Sequence, residues 1–227
     1  MKTFYRRNLP HFQPGNGIYF ITYRLANSLP LEVVSNLKEE LERYRKVVVK
    51  SGLTKEEIKK QIDIPFKKDF AAYDRYLDSC VSGHQWISDE RIARFNYEEI
   101  LKLNSENVTV ICFSLMPNHV HLLLELPNIT SNPQLIQGLQ GKPNSKSGEY
   151  VLTDLLRRLK GRTARGSNLL LNRTGPFWQH ESFDRVVRDA NELERIIHYI
   201  IENPVKAGLC NEWTEWKWTY LHPDYVL

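Results

Sequence analysis

The chain has 227 residues, a formal net charge of +4, 41% hydrophobic and 26% charged residues, which suits a globular domain with a sizeable core. No apolar run approaches the roughly 18 residues of a membrane helix, and the N-terminal MKTFYRRNLPHF has no apolar signal-peptide core. Cys80, Cys112 and Cys210 are odd in number and widely spaced, which argues against a disulfide framework or a cysteine zinc site and leads us to expect a reducing, cytoplasmic setting.

Residues 1–17 form a basic, aromatic arm ending in Pro14-Gly15-Asn16-Gly17, a turn sequence. Ile18 to Leu25, IYFITYRL, is rich in β-branched and aromatic residues and predicts a first strand. Leu31 to Val48 predicts a helix, with Leu37, Leu41, Tyr44 and Val48 at helical spacing. Residues 49–107 predict a helical insertion, its last helix starting from a cap at Ser88 and running to about Leu103. Two hydrophobic runs, 108–115 and 119–126, flank Met116-Pro117-Asn118 and predict an antiparallel hairpin. Residues 127–149, rich in Asn, Pro, Gly and Ser, predict a loop. Thr153 is the expected cap of a helix reaching Leu171, with Gly161 and Gly166 able to admit a phosphate backbone. Phe183 to Arg188 predicts the fourth strand, and Asn191 to Asn203 the most clearly patterned helix. In the aromatic tail, 210–227, extended chain would put Trp216, Trp218 and Tyr220 on one face, where packing is the expected role and base stacking the alternative.

The chemistry-bearing residues concentrate in the second strand of the hairpin and in the last helix. His119 and His121 alternate with Val120, so both point to one face, about 7 Å apart along an extended strand. The pair suits a two-nitrogen grip on a metal, although a lone H-x-H is more often a hydrogen-bonded strand pair. Glu125 shares their face by alternation, and a solvated edge position is expected for it. Tyr199 lies at the polar border of the last helix, on a stripe with Glu192, Arg195, Asn203 and Lys206. Asn203 precedes Pro204 and could equally cap the next turn. Base is clustered in two places: Arg6 and Arg7 near the N-terminus, and Arg158, Arg162 and Arg165 on one helical stripe. Such clusters fit a polyanion or a merely solvated face. Trp178 and His180 of PFWQH could hold a base, or be a buried Trp with a bonded His.

MPNHVHLLL, GPFWQHESFDRVVRD and YIIENPVKAGL together resemble the one-tyrosine HUH transposases, and among them the REP-associated tyrosine transposases. The resemblance implies that His119, His121 and Asn203 bind a divalent ion, Mg²⁺ or Mn²⁺, and that Tyr199 is the nucleophile. It further implies a ferredoxin-like core, cleavage of single-stranded DNA near hairpins, a 5′-phosphotyrosine intermediate and a free 3′-hydroxyl. Tyr199 follows the histidines, whereas relaxases and rolling-circle initiators usually place theirs before. Segments 49–107 and 127–149 depart from a minimal core, and the subgroup favours a monomer or weak homodimer. The expected fold is thus a single α+β domain, 1–227: a four-stranded antiparallel sheet with helices on one face, in β-α-β-β-α-β-α order, plus the helical insertion. A hairpin-binding regulator without catalysis and a metallohydrolase using activated water remain the alternatives.

Overall fold

IYFITYRL does form a strand, and its alternation sorts two different chemistries onto two faces of one sheet. The computed structural model describes residues 4–6, 10–12, 17–30, 32, 33, 35, 39, 74–79, 83–127 and 151–225. The short strands β1 (Phe4–Arg6) and β2 (Pro10–Phe12) pair with each other. β3 (Gly17–Arg24), β4 (Thr109–Leu115), β5 (His119–Leu126), β6 (Phe183–Val186) and β7 (Thr219–Leu221) make one antiparallel sheet in the order β6-β3-β5-β4-β7.

On one face, Tyr19, Ile21 and Tyr23 of β3 and Val120, Leu122 and Leu124 of β5 join a continuous buried core. That face is covered by α1 (Glu90–Leu101) and α2 (Val151–Leu170), whose Ile92, Ala93, Ile100, Leu155, Leu156 and Leu159 complete the core. Asp89 caps α1, accepting the Arg91 N–H at 2.9 Å, one residue beyond the expected Ser88. The second helix begins at Val151, so Thr153 is an interior residue and not its cap. A bulge between Val110 and Cys112 resets the alternation of β4. Val110 and Phe113 can therefore both face the core while Cys112 and Ser114 face the other way.

The opposite face carries Phe20, Thr22 and Arg24 of β3 beside His119 and His121 of β5. α3 (Ala190–Ile201) packs there, its Tyr199 ring against Phe20 and His121. Helices consequently cover both faces, which corrects the expectation of helices on one face. The strand count also differs. Thr219–Leu221, from the aromatic tail, pairs with β4 as a fifth strand, because Tyr220 stacks on Phe113 with ring centroids 5.5 Å apart and Trp216 donates its indole N–H to the Leu115 carbonyl at 3.0 Å. Packing, the expected role for these aromatics, is what they do.

By contacts the chain divides into two units, 1–26 with 85–227, and 27–84. The helix Glu90–Leu101, read from the sequence as the end of the 49–107 segment, is part of the first unit. In the second, residues 74–78 are helical. Gly83, at φ +82°, lies so close to the Asn27–Ser28 backbone that a Cβ has no room. Most of the expected helix 31–48, residues 49–73 and the expected loop 128–149 lie outside the described residues. Among the described residues no helix is long and apolar enough to cross a membrane.

Gly166 of α2 lies directly against the Phe95 ring of α1. A Cβ there would overlap the Phe95 ring, so this glycine serves helix packing and not the approach of a phosphate backbone; Gly161 has open space above it. Gly166→Ala would gain about 1 kcal/mol of helix propensity. Overpacking costs typically about 1–3 kcal/mol. The expected net result is a destabilised protein, measurable as a lower urea midpoint; an unchanged or higher midpoint would show that Phe95 relaxes without cost.

Candidate metal and tyrosine site

The hairpin turn positions the histidines. Met116 donates its backbone N–H to the His119 carbonyl at 2.9 Å, and the Asn118 carbonyl accepts the Leu25 N–H at 2.8 Å, which ties the turn to the end of β3. Both imidazoles are fully buried, and their Nε2 atoms lie 3.0 Å apart. Each ring is oriented from behind. Asn118 Oδ1 sits 2.6 Å from His119 Nδ1, and Thr22 Oγ1 sits 2.8 Å from His121 Nδ1.

Donor and acceptor roles here depend on the tautomer, and two assignments fit these contacts. With the Asn118 oxygen accepting, His119 carries its hydrogen on Nδ1 and leaves a lone pair on Nε2. The short Nε2···Nε2 contact then requires the hydrogen of His121 on Nε2, and its Nδ1 accepts from the Thr22 hydroxyl. A hydroxyl can also accept, so Thr22 suits the other tautomer, in which both Nε2 lone pairs converge on one point. That convergence, with both Nδ1 atoms braced, is the arrangement by which histidines hold a metal. Burial pushes His121 down to about 3, and burial together with the neighbouring His121 holds His119 well below 6.5. Both rings are therefore neutral ligands at physiological pH.

Tyr199 packs against His121. Its ring meets His121 edge-on at 5.4 Å between centroids, and Phe20 edge-on at 5.9 Å, while Phe20 stacks on His121 at 5.9 Å. Lys206 brings its ammonium 5.4 Å from the Tyr199 ring centroid. The Tyr199 hydroxyl is buried with no hydrogen-bond partner among the described residues. The same holds for both amide atoms of Asn203, a fully buried residue. Asn203 opens α4 (Asn203–Lys206), yet its side chain makes no cap; its backbone carbonyl accepts the Ala207 N–H at 2.9 Å. A buried carboxamide without partners costs about 1–3 kcal/mol per group, a cost that a metal or substrate would offset. Two buried, neutral imidazoles are donors that suit a borderline divalent ion.

The arginines fall elsewhere. Arg162 is bound to Glu99 and Glu106, each at 3.0 Å, and Arg158 pairs with Glu106 at 3.4 Å. Both lie on α2, across the sheet from the histidines. Arg165 is exposed on the same helix. Arg6 ends β1, and Arg7 lies outside the described residues. Glu125, four residues from His121 along β5, pairs across to Ile18 and Thr109 and accepts from the Tyr225 hydroxyl at 3.5 Å, at the far end of the sheet. Trp178 is buried and donates to Thr163 Oγ1 at 2.8 Å, a packing role, whereas His180 is exposed. Sequence reasoning missed Phe20, Thr22 and Asn118. The alternation in IYFITYRL put Phe20 and Thr22 on one face, but only the register shows that this is the histidine face.

No protein-family model matches the chain. In sequence it is similar to a curated Haemophilus influenzae protein described as "Putative REP-associated tyrosine transposase", at 25% identity over 115 residues, which is 50% of this chain. The match spans 59% of that protein's length. Among solved structures, a REP-associated tyrosine transposase bound to a REP hairpin aligns with TM-score 0.48 and 14% identity, covering 95% of this chain and 80% of that one. The chain thus resembles the REP-associated tyrosine transposases, as its motifs suggest.

Two outcomes follow. Thr22→Val removes the hydroxyl behind His121 while keeping its shape, and should weaken Mn²⁺ binding by about 10- to 100-fold in calorimetric titration; unchanged affinity would mean that Thr22 does not set the ligand. With chelator present, acid should destabilise the protein. Both folded-state histidines sit below 6.5, so the unfolded chain takes up protons first, and stability is lost as the pH falls below 6.5 toward about 3. His121→Asn should flatten that slope in pH-dependent thermal melts; an equally steep slope would assign it to other groups.

Proposed function

We propose that the chain is a metal-dependent transposase-type endonuclease that cuts and rejoins single-stranded DNA near hairpins through Tyr199. The observation that carries this reading is the Tyr199 ring lying against His121, one of two buried imidazoles whose Nε2 atoms are 3.0 Å apart. The resemblance of MPNHVHLLL and YIIENPVKAGL supplies the rest: a ferredoxin-like core within the sheet, and DNA hairpins as substrate.

In this mechanism His119, His121 and the Asn203 amide oxygen would hold Mg²⁺ or Mn²⁺, which when bound would supply positive charge to polarise a phosphodiester. The Tyr199 phenolic oxygen attacks phosphorus, a P–O bond to the tyrosine forms, the P–O3′ bond breaks, and the 3′-oxygen leaves as a hydroxyl after taking a proton from solvent. The phenol's own proton passes to solvent. A 5′-phosphotyrosine results, and attack on it by a 3′-hydroxyl reverses the step and joins strands. Phe20 and His121 fix the plane of the phenol, which reduces the orientation cost of attack. Lys206 holds its ammonium 5.4 Å from the ring centroid, a cation–π contact that helps to seat the ring. Arg6, Arg7, Arg158, Arg162 and Arg165 are the proposed phosphate contacts, and the pairing of Arg158 and Arg162 with Glu99 and Glu106 makes Arg165 the readiest of the three on α2. The protein acts as a monomer or weak homodimer in the cytoplasm.

The decisive measurement uses a labelled DNA hairpin with a single-stranded flank, Mn²⁺ and denaturing electrophoresis. A covalent protein–DNA adduct is expected, lost in Tyr199→Phe and reduced on the order of 10²-fold or more in Asn203→Ala. Cleavage without an adduct would assign the metal to water activation, and binding without cleavage would make the chain a hairpin-binding regulator.

A further inference from the structure

We infer that Arg195, backed by Arg185, holds the phosphate next to the one that Tyr199 attacks; the inference rests on the reading of the site given above. Arg185 stands directly across from Phe20 in the β3–β6 register. Phe183, two residues earlier on β6, sets its ring edge-on to Phe20 at 6.0 Å between centroids, and Phe20 in turn meets Tyr199. Strand alternation therefore puts Arg185 on the Tyr199 face of the sheet, whereas Asp184, across from Ile21, belongs to the core face. Arg195 comes from α3. It precedes Tyr199 by four residues, about 6 Å along a helix axis, and lies on the same stripe.

Glu192 joins the two elements. Its buried carboxylate pairs with the Arg185 guanidinium and accepts the Arg188 backbone N–H at 2.9 Å, while Asp189 accepts the Glu192 N–H at 2.8 Å and caps the helix. Three residues after Glu192, Arg195 leaves the same side of α3. Two guanidinium groups thus converge around one carboxylate. Glu192 is engaged with Arg185, the Arg185 Nε is buried with no hydrogen-bond partner among the described residues, and Arg195 is exposed with no ion pair among them.

Burial and the neighbouring Arg195 both hold Arg185 below its ordinary value. A guanidinium does not lose its proton in a protein, so the folded chain carries this repulsion between like charges. An anion at Arg195 offsets it. A phosphodiester brings one negative charge and two non-bridging oxygens, which match the planar fork of an exposed guanidinium. When the scissile phosphate of a single strand reaches the Tyr199 phenol, the next phosphate along α3 meets Arg195, and Arg185 adds attraction from beneath. The arginines of α2 cannot take this part, because they lie across the sheet from the histidines.

The test uses a Tyr199→Phe background, which binds DNA without forming the adduct, and a labelled hairpin whose single-stranded flank carries one neutral methylphosphonate linkage, placed at each position in turn. Affinity is read by fluorescence anisotropy over a range of salt. Arg195→Gln should weaken binding of the unmodified flanked hairpin about tenfold. It should also lower the magnitude of the slope of log K against log salt by about 0.7, the contribution of one single-strand phosphate contact. With Arg195 present, one methylphosphonate position should weaken binding by a similar factor; in Arg195→Gln that position should become silent, within about twofold. Arg195→Lys keeps the charge without the fork, so it should retain the salt slope and part of the affinity. Without DNA, Arg195→Gln should melt at the same temperature or higher, since a like charge beside Arg185 is gone. With Tyr199 intact, the cleaved linkage, mapped by denaturing electrophoresis, should neighbour the coupled position. The inference is overturned if no position is sensitive, if the sensitive position is equally sensitive in Arg195→Gln, or if it lies away from the cleaved linkage. A fall in melting temperature that matches the lost affinity also overturns it, by making Arg195 a structural brace. If the Tyr199-containing chain forms no adduct, the tyrosine reading fails on its own, and the coupling still decides whether Arg195 holds a phosphate.

Discussion

The antiparallel register of β3 on β5 decides what stands around the two histidines. It sets Thr22 across from His121 and Arg24 across from His119, and it sends Tyr19, Ile21 and Tyr23 into the core on the other side. Because side chains alternate with a period of two, a slip of one residue would exchange the two sets. The slip is opposed on both faces. On one it would expose Tyr19, Ile21, Tyr23, Val120, Leu122 and Leu124, all of which are 1% exposed or less. On the other it would break the hydroxyl–imidazole bond at His121. Packing and site geometry are one constraint expressed twice.

The cost of the site is concentrated in desolvated polar groups. Two imidazoles are buried and kept neutral, and the Tyr199 hydroxyl and the Asn203 amide have no partner among the described residues. A core built for stability alone would fill these positions with aliphatic residues. The hydrophobic face underneath carries the stability, with α1 and α2 locked against each other at Gly166 and Phe95 and the sheet fully covered. The division of labour between the faces is possible because the Val110–Cys112 bulge lets β4 serve the core along its whole length while Ser114 remains on the histidine side.

Much of this was legible in the sequence. The β5 bounds, the hairpin at Met116-Pro117-Asn118 and the apolar stripe of Ile196, Ile197, Ile200 and Ile201 follow from periodicity and turn chemistry, and His119-Val120-His121 announces a shared face. What periodicity cannot supply is which elements meet. Helices were expected on one face because the amphipathic pattern of 190–201 says that it buries a stripe, not which side of the sheet receives it. Thr219–Leu221 was too short to read as a strand, and its pairing depends on Tyr220 finding Phe113, a partner more than a hundred residues away. The arginine stripe on α2 was read correctly as a stripe. Its acidic partners, Glu99 and Glu106, lie on separate elements, so the neutralisation of Arg158 and Arg162 was invisible until the fold joined them.

The three-residue β7 has a meaning beyond the aromatic contacts that hold it. It covers the outer side of β4, while β6, only four residues long, covers the outer side of β3. The long strands, each with a full row of backbone donors and acceptors, are thereby enclosed between two short borders. A sheet bordered in this way offers little template for another strand to add to it. With both faces of the sheet covered by helices, this leaves little unpaired strand backbone to become sticky. The last stretch of the chain thus acts as a guard against self-association, a task set by the ends of the sheet and independent of any chemistry at its centre.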